Sequence, residues 1–389
     1  MALAAPTATA ADQCTFPGKT YEGRPWALQR VLLDEVWKQS MGEGVRVAVI
    51  DTGVDVKNRQ LAPALDIRSG RNFLPPNLKD DNGNKIERGR EDGTTDVVGH
   101  GTKVAGIIAA RPAKGTGFVG LAPKATIIPI QQNDAEGHGD TKALAAAIDY
   151  AVKDAKADVI NISQDTVNPI ASTSTLKRAV DNALAADVVV VASAGNDGLD
   201  GNAKKTYPAS YEGVLAVAAS DRNNERAAFS QSGDFVDVAA PGVDMVSTVP
   251  GGGHCADNGT SFSAPYVAAV AALIKAKHQD WTQQQITAQI MQTAERSIPG
   301  QDRLVGWGVV DPVRALTEDD KPIDHPVPSN DGAAQAEAPT VAQLPLGETP
   351  QERAARLGSY VVVGSLVLVA VIAGGAVAMR DGRRRTPSG

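Results

Sequence analysis

Five short runs in this chain are apolar at almost every position rather than at alternate ones: VRVAVI (45–50), ATIIPI (125–130), DVINI (158–162), DVVVVASA (187–194) and VLAVAA (214–219). A strand with one face in water alternates apolar and polar residues, whereas a strand buried on both faces does not. The runs end in polar or glycine-rich turns and are separated by segments of helical periodicity, such as 142–155 and 174–185. This pattern predicts an α/β domain whose parallel sheet is covered by helices on both faces. In such sheets functional groups gather where strands end and helices begin.

The chain has 389 residues, enough for one large core. Its net charge of −7, with the only dense arginine cluster at the extreme C-terminus, excludes a basic surface for nucleic acid. No glycine and lysine spacing of a phosphate loop precedes a helix, which argues against a nucleotide-binding protein. The two cysteines, Cys14 and Cys255, exclude a disulfide-dense scaffold and a four-cysteine zinc site. They leave either one bridge or two free thiols. A bridge would close a loop of about 240 residues, worth roughly 4–5 kcal/mol in the chain-entropy model.

Residues 1–13 carry the small-residue spacing of an export cleavage region without a basic start or a long apolar core, so the segment reads as a signal remnant or as disordered. Residues 14–44, with Pro25, Trp26, Leu28, Leu32 and Trp37, are expected to form an arm with one short helix lying on the body, which spans 45–316. From 317 to 356 the composition is acidic and rich in proline and alanine, that of a flexible tether. Residues 357–379 hold no charge and are long enough to cross a hydrocarbon core as a helix. The tail 380–389 places Arg380, Arg383, Arg384 and Arg385 directly after the span. Basic flanks stay cytoplasmic, so the sequence predicts a single-pass protein of the cell membrane with its body outside.

Four polar residues stand at places where a sheet of this kind presents chemistry. Asp51 follows the run VAVI and could cap a turn, or carry a carboxylate at the functional edge. His100, in GHGTKVAG, opens a small-residue helical pattern. Ser261, in NGTSFSAP, opens another; a serine there can be a simple cap, yet backbone N–H groups and the positive helix end also face the space beside its hydroxyl. Asn196 follows VVVVASAG and could be a turn former, or an amide donor to an oxyanion.

Taken together, DTGVD, HGTKVAG, AGND and GTSFSAP resemble the signature segments of subtilisin-like serine proteases, and the order Asp, His, Ser is that of subtilisin. GLAPKATIIPI, YPASYEGVLAVAASD, FSQSGDFVDVAAPG and GWGVVDPVRAL extend the likeness over roughly 45–316. The resemblance implies a three-layer fold with a seven-stranded parallel sheet, a serine endopeptidase activity, the triad Asp51, His100 and Ser261, and Asn196 at the oxyanion. It also implies pairing of an extended peptide against Ser163, Gln164 and Asp165 and against Ser193, Ala194 and Gly195. The arm with a cysteine and a Pro-Trp pair, the acidic tether, the single span and the basic tail further resemble the mycosins of type VII secretion systems. That likeness implies polypeptide substrates and secretion-channel partners.

Departures from the family pattern limit what transfers. Ser163-Gln164-Asp165-Thr166 stands where many subtilisins have Ser-Leu-Gly-Gly, so the preferred substrate residue cannot be copied. Phe262 and Ser263 replace the commoner Met and Ala. Asp80, Asp81, Asn82 and Asn84 are calcium-type ligands, but their spacing fits no complete loop, so no metal or other cofactor is expected. A second class of function stays open: a scaffold that braces a membrane complex, with catalysis minor or confined to one partner.

Overall fold

The computed structural model describes residues 14–76, 88–133, 140–165, 174–199, 204–328 and 350–384. The chain divides into two units, residues 1–330 and 331–389. In the first, two short helices, α1 (Trp26–Gln29) and α2 (Leu33–Gln39), precede β1 (Arg46–Asp51), β2 (Arg71–Asn72), α3 (His100–Ala109), β3 (Thr126–Gln131), α4 (Thr141–Lys153), β4 (Val159–Ile162), α5 (Thr175–Ala185) and β5 (Val189–Ser193). Then follow β6 (Leu215–Ser220), β7 (Val238–Pro241), β8 (Met245–Thr248), β9 (His254–Asp257), α6 (Thr260–Lys277), α7 (Gln283–Thr293) and α8 (Pro312–Thr317).

Seven strands form one parallel sheet in the order β2-β3-β1-β4-β5-β6-β7. The uninterrupted apolar runs have the cause expected of them. Val47 and Val49 of β1 join one core with α3 and α6, while Ala48 and Ile50 join the opposite core with α4 and α5. Each strand therefore needs apolar side chains at consecutive positions. Helix α6 lies against β4, β5, β6 and β7, and its run of alanines, Ala268, Ala269, Ala271 and Ala272, is fully buried. Ser174 caps α5 through Lys177 N, and Thr282 with Gln285 forms a capping box on α7.

The arm holds two short helices rather than the single one expected, and Ala27, Leu28, Leu33 and Val36 are buried in the main core. Cys14 and Cys255 form a disulfide, which settles the choice between a bridge and free thiols. The antiparallel pair β8 and β9, carrying Cys255, was not anticipated, because its residues show no strand alternation. The body also runs beyond 316: Asp319 accepts from Lys277 and His278, and Asp324 accepts from Gln285, so the first residues assigned to the tether belong to the body. In the second unit, α9 (Pro350–Arg384) is longer than the apolar stretch 357–379. Within it, Arg353–Arg380 is long and apolar enough to cross a membrane.

Candidate active site

Asp51 is the last residue of β1, and its side chain is 2% exposed. Its Oδ1 accepts from the backbone N–H of Thr52 at 2.8 Å and lies 2.7 Å from Nδ1 of His100, the first residue of α3. A carboxylate only accepts, so Nδ1 carries the proton and Nε2 of the neutral ring is left as an acceptor. The turn into α3 needs glycine on both sides of the imidazole. Gly99 adopts φ +81°, and a Cβ on Gly101 would fall 2.1 Å from the carbonyl oxygen of Gly53. Burial disfavours the imidazolium, but the adjacent Asp51 charge and hydrogen bond, with Asp96 behind them, hold His100 above its ordinary value.

Asp96 was not singled out from sequence, yet it organises the loop before His100. Its carboxylate accepts from Thr52 Oγ1, Gly99 N, Thr102 N and Thr102 Oγ1 at 2.6–2.9 Å. Burial pushes this carboxyl up, against the hydrogen bonds from Thr102 and Gly99. Two threonines and an aspartate in TTD ahead of the His-Gly pair were the only signal, and side-chain turns of that kind are common in loops.

Ser261 is half-buried in the first turn of α6. Pro265 lies one turn further on, inside the helix, and has no N–H for the Ser261 carbonyl four residues earlier. Ser163 Oγ supplies the missing donor at 2.8 Å, itself held by Asn161 Nδ2 at 2.9 Å. The Ser163 side chain thus supports the backbone of Ser261. Phe262, next to Ser261, sets its ring 5.3 Å from the His100 imidazole.

Asn196 follows β5. Its Oδ1 accepts from both Thr260 N at 2.9 Å and Thr260 Oγ1 at 3.0 Å. With its oxygen committed, the amide NH₂ is the free end, and it is a donor. Sequence reading missed Thr260, which fixes this orientation from the position immediately before Ser261.

The two segments expected to pair with substrate differ. Ala194 N and O engage Val217 O and Thr206 Oγ1, while Gly195 N and O engage Thr260 Oγ1 and Gln231 N, so little pairing capacity is left there. Strand β5, which ends at Ser193, lies between β4 and β6 and is no edge. In the stretch past β4, Gln164 donates to Gln132 and Asp165 is exposed. The calcium-type residues Asp80, Asp81, Asn82 and Asn84 lie outside the described residues. From the arm, Phe16 packs on the Cα of Gly99, one residue from the imidazole.

The family model for subtilases (peptidase S8) matches residues 42–308. The chain belongs to the subtilase family. Subtilisin BL of Lederbergia lenta is 37% identical over 287 residues, covering 74% of this chain and 96% of the relative. Subtilisin E of Bacillus subtilis is 38% identical over 272 residues, 69% of this chain and 66% of the relative. Among solved structures, the MycP3 protease from the type VII (ESX-3) secretion system superposes with a TM-score of 0.66 at 33% identity, over 79% of this chain and 91% of that one. MycP1 from Mycobacterium smegmatis gives 0.64 at 31% identity, over 81% and 90%. This subtilase is a serine endopeptidase related to the mycosins, with one helix suited to a single-pass membrane anchor.

Proposed function

We propose that Asp51, His100 and Ser261 act as one catalytic triad in a membrane-anchored endopeptidase that works beside a type VII secretion channel. The observation that carries the catalytic part is the 2.7 Å contact between His100 Nδ1 and Asp51 Oδ1, which fixes the tautomer whose Nε2 can accept a proton. In this mechanism Nε2 takes the Ser261 hydroxyl proton as Oγ attacks the peptide carbonyl, and the Asn196 amide meets the oxyanion. The imidazolium then gives its proton to the leaving amine, and water, deprotonated by the same nitrogen, releases the acyl group. No step uses a metal.

Arg380, Arg383, Arg384 and Arg385 at the end of the apolar stretch favour a cytoplasmic C-terminus and an outward-facing body. The type VII assignment draws support from the solved relatives, one of which is described as an essential component of the type VII (ESX-1) secretion system. That description also favours a second reading in which the body braces a membrane complex. Labelling of the detergent-solubilised chain by a fluorophosphonate tests the first reading: wild type reacts, whereas Ser261→Ala and His100→Ala do not. Absence of labelling in folded wild type would leave the bracing role, and secretion that survives Ser261→Ala but not deletion of the protein would favour it.

A further inference from the structure

We infer that this protease selects a cationic side chain, lysine or arginine, on the N-terminal side of the scissile bond, and that Asp165 is the residue that selects it. The inference rests on the triad proposed above. In the tetrahedral adduct the leaving nitrogen must face His100 and the oxygen must face Asn196. His100 is fixed over the end of β1, and the next strands across the sheet are β4 and then β5. The remaining substituent of the carbonyl carbon, which carries the acyl-side residue, is therefore directed away from β1, to the crevice past the ends of β4 and β5.

Asp165 stands in that crevice. Gly195, just before Asn196, has φ +101° and a bare Cα. A Cβ there would fall 2.9 Å from Asp165 Oδ2, 2.9 Å from Thr206 Cγ2 and 3.1 Å from Gln231 Cγ. The carboxylate thus closes on the glycine from the β4 side while remaining exposed to an incoming side chain. Gln231 is fully buried, and among the described residues neither end of its amide has a hydrogen-bond partner. A guanidinium or ammonium would offer donors to the exposed carboxylate. The other charged group bearing on Asp165 is a second carboxylate, Asp197; partial burial and that charge push Asp165 up to about 6. A cation entering the crevice would relieve both effects, whereas an acidic side chain would add a third negative charge.

The test is competition against fluorophosphonate labelling of the full chain in detergent, using tripeptide aldehydes that differ only in ending in arginine, leucine or glutamate. Wild type should be protected by the arginine aldehyde at concentrations about tenfold or more below the leucine one, with glutamate weakest. Asp165→Asn should bring arginine and leucine within about threefold of each other, each aldehyde being compared with that variant's own uninhibited labelling. Because both aldehydes meet the same His100, their ratio isolates the crevice, and the arginine advantage should shrink as pH falls from 7.5 to 5. Equal or better protection by leucine, unchanged in Asp165→Asn with labelling intact, would overturn this inference and leave the triad standing. Loss of labelling in folded wild type would overturn both.

Discussion

Lys103 Nζ and Asp257 Oδ2 stand 2.7 Å apart, with the ammonium side chain only 7% exposed and the carboxylate 44% exposed. The same ammonium lies 5.8 Å from the centre of the Phe262 ring, which itself leans on His100. A nearly enclosed cation thus depends on one carboxylate at the margin of the proposed triad.

Asp257→Asn removes that partner and leaves the ammonium uncompensated, a change expected to cost about 1–2 kcal/mol, less than for a wholly buried pair. Calorimetry should show a lower Tm. The Lys103 charge already opposes protonation of His100, so with Asp257 neutralised the acid limb of kcat/KM should move to lower pH. An unmoved limb would mean that solvent screens Lys103 from the imidazole.

The proposed mechanism requires His100 neutral, and the folded protein raises its pKa above the ordinary 6.5, so kcat/KM should fall as pH drops through a value above 6.5. In Asp51→Asn burial acts without the compensating charge, and the limb should shift down while kcat falls on the order of 10⁴-fold. A pH-rate series on both proteins decides it. Asn196→Ala should cost about 10²–10³ in kcat, a scale measured in a subtilisin, with little change in KM.

His254 links the arm to β9. Its Nδ1 accepts from Tyr21 N at 3.1 Å, and its Nε2 donates to Gln60 Oε1 at 2.8 Å. Burial lowers its pKa to about 4, so between 6.5 and 4 the unfolded chain binds a proton that the folded one refuses. Stability from this group is present above 6.5 and is lost as pH falls, by roughly 3 kcal/mol across the window. Thermal melts at pH 7 and 4.5 should differ more for wild type than for His254→Gln.

Since no step of the proposed mechanism uses a metal, dialysis against a chelator should leave the fluorophosphonate labelling rate within about twofold. A tenfold loss restored by calcium would show a structural ion.

The sheet was legible because burial on both faces leaves its mark on consecutive residues, as in Val47 to Ile50, and the serine, histidine and aspartate were legible through the glycines that their turns require. Their supports were not. Asp96, Thr260 and Ser163 act through side-chain bonds to residues 2 to 98 positions away, and Ser, Thr and Asp occur in loops too often for such a bond to leave a pattern. Pro265 was visible, but that it releases the Ser261 carbonyl to Ser163 depends on where α6 begins, which is fixed by packing. β8 and β9 were missed for a related reason: their pairing is held by contacts with the arm and α3, not by alternation within GGGHCAD.

The bridge from Cys14 to Cys255 joins residues 241 positions apart and so closes most of the body into one covalent ring. A single backbone cut anywhere inside that ring opens a loop but severs nothing. A molecule nicked by its own kind would gain only the mass of one water, run as one band without reductant and part into two fragments with it. Integrity judged on an unreduced gel would therefore overlook self-cleavage.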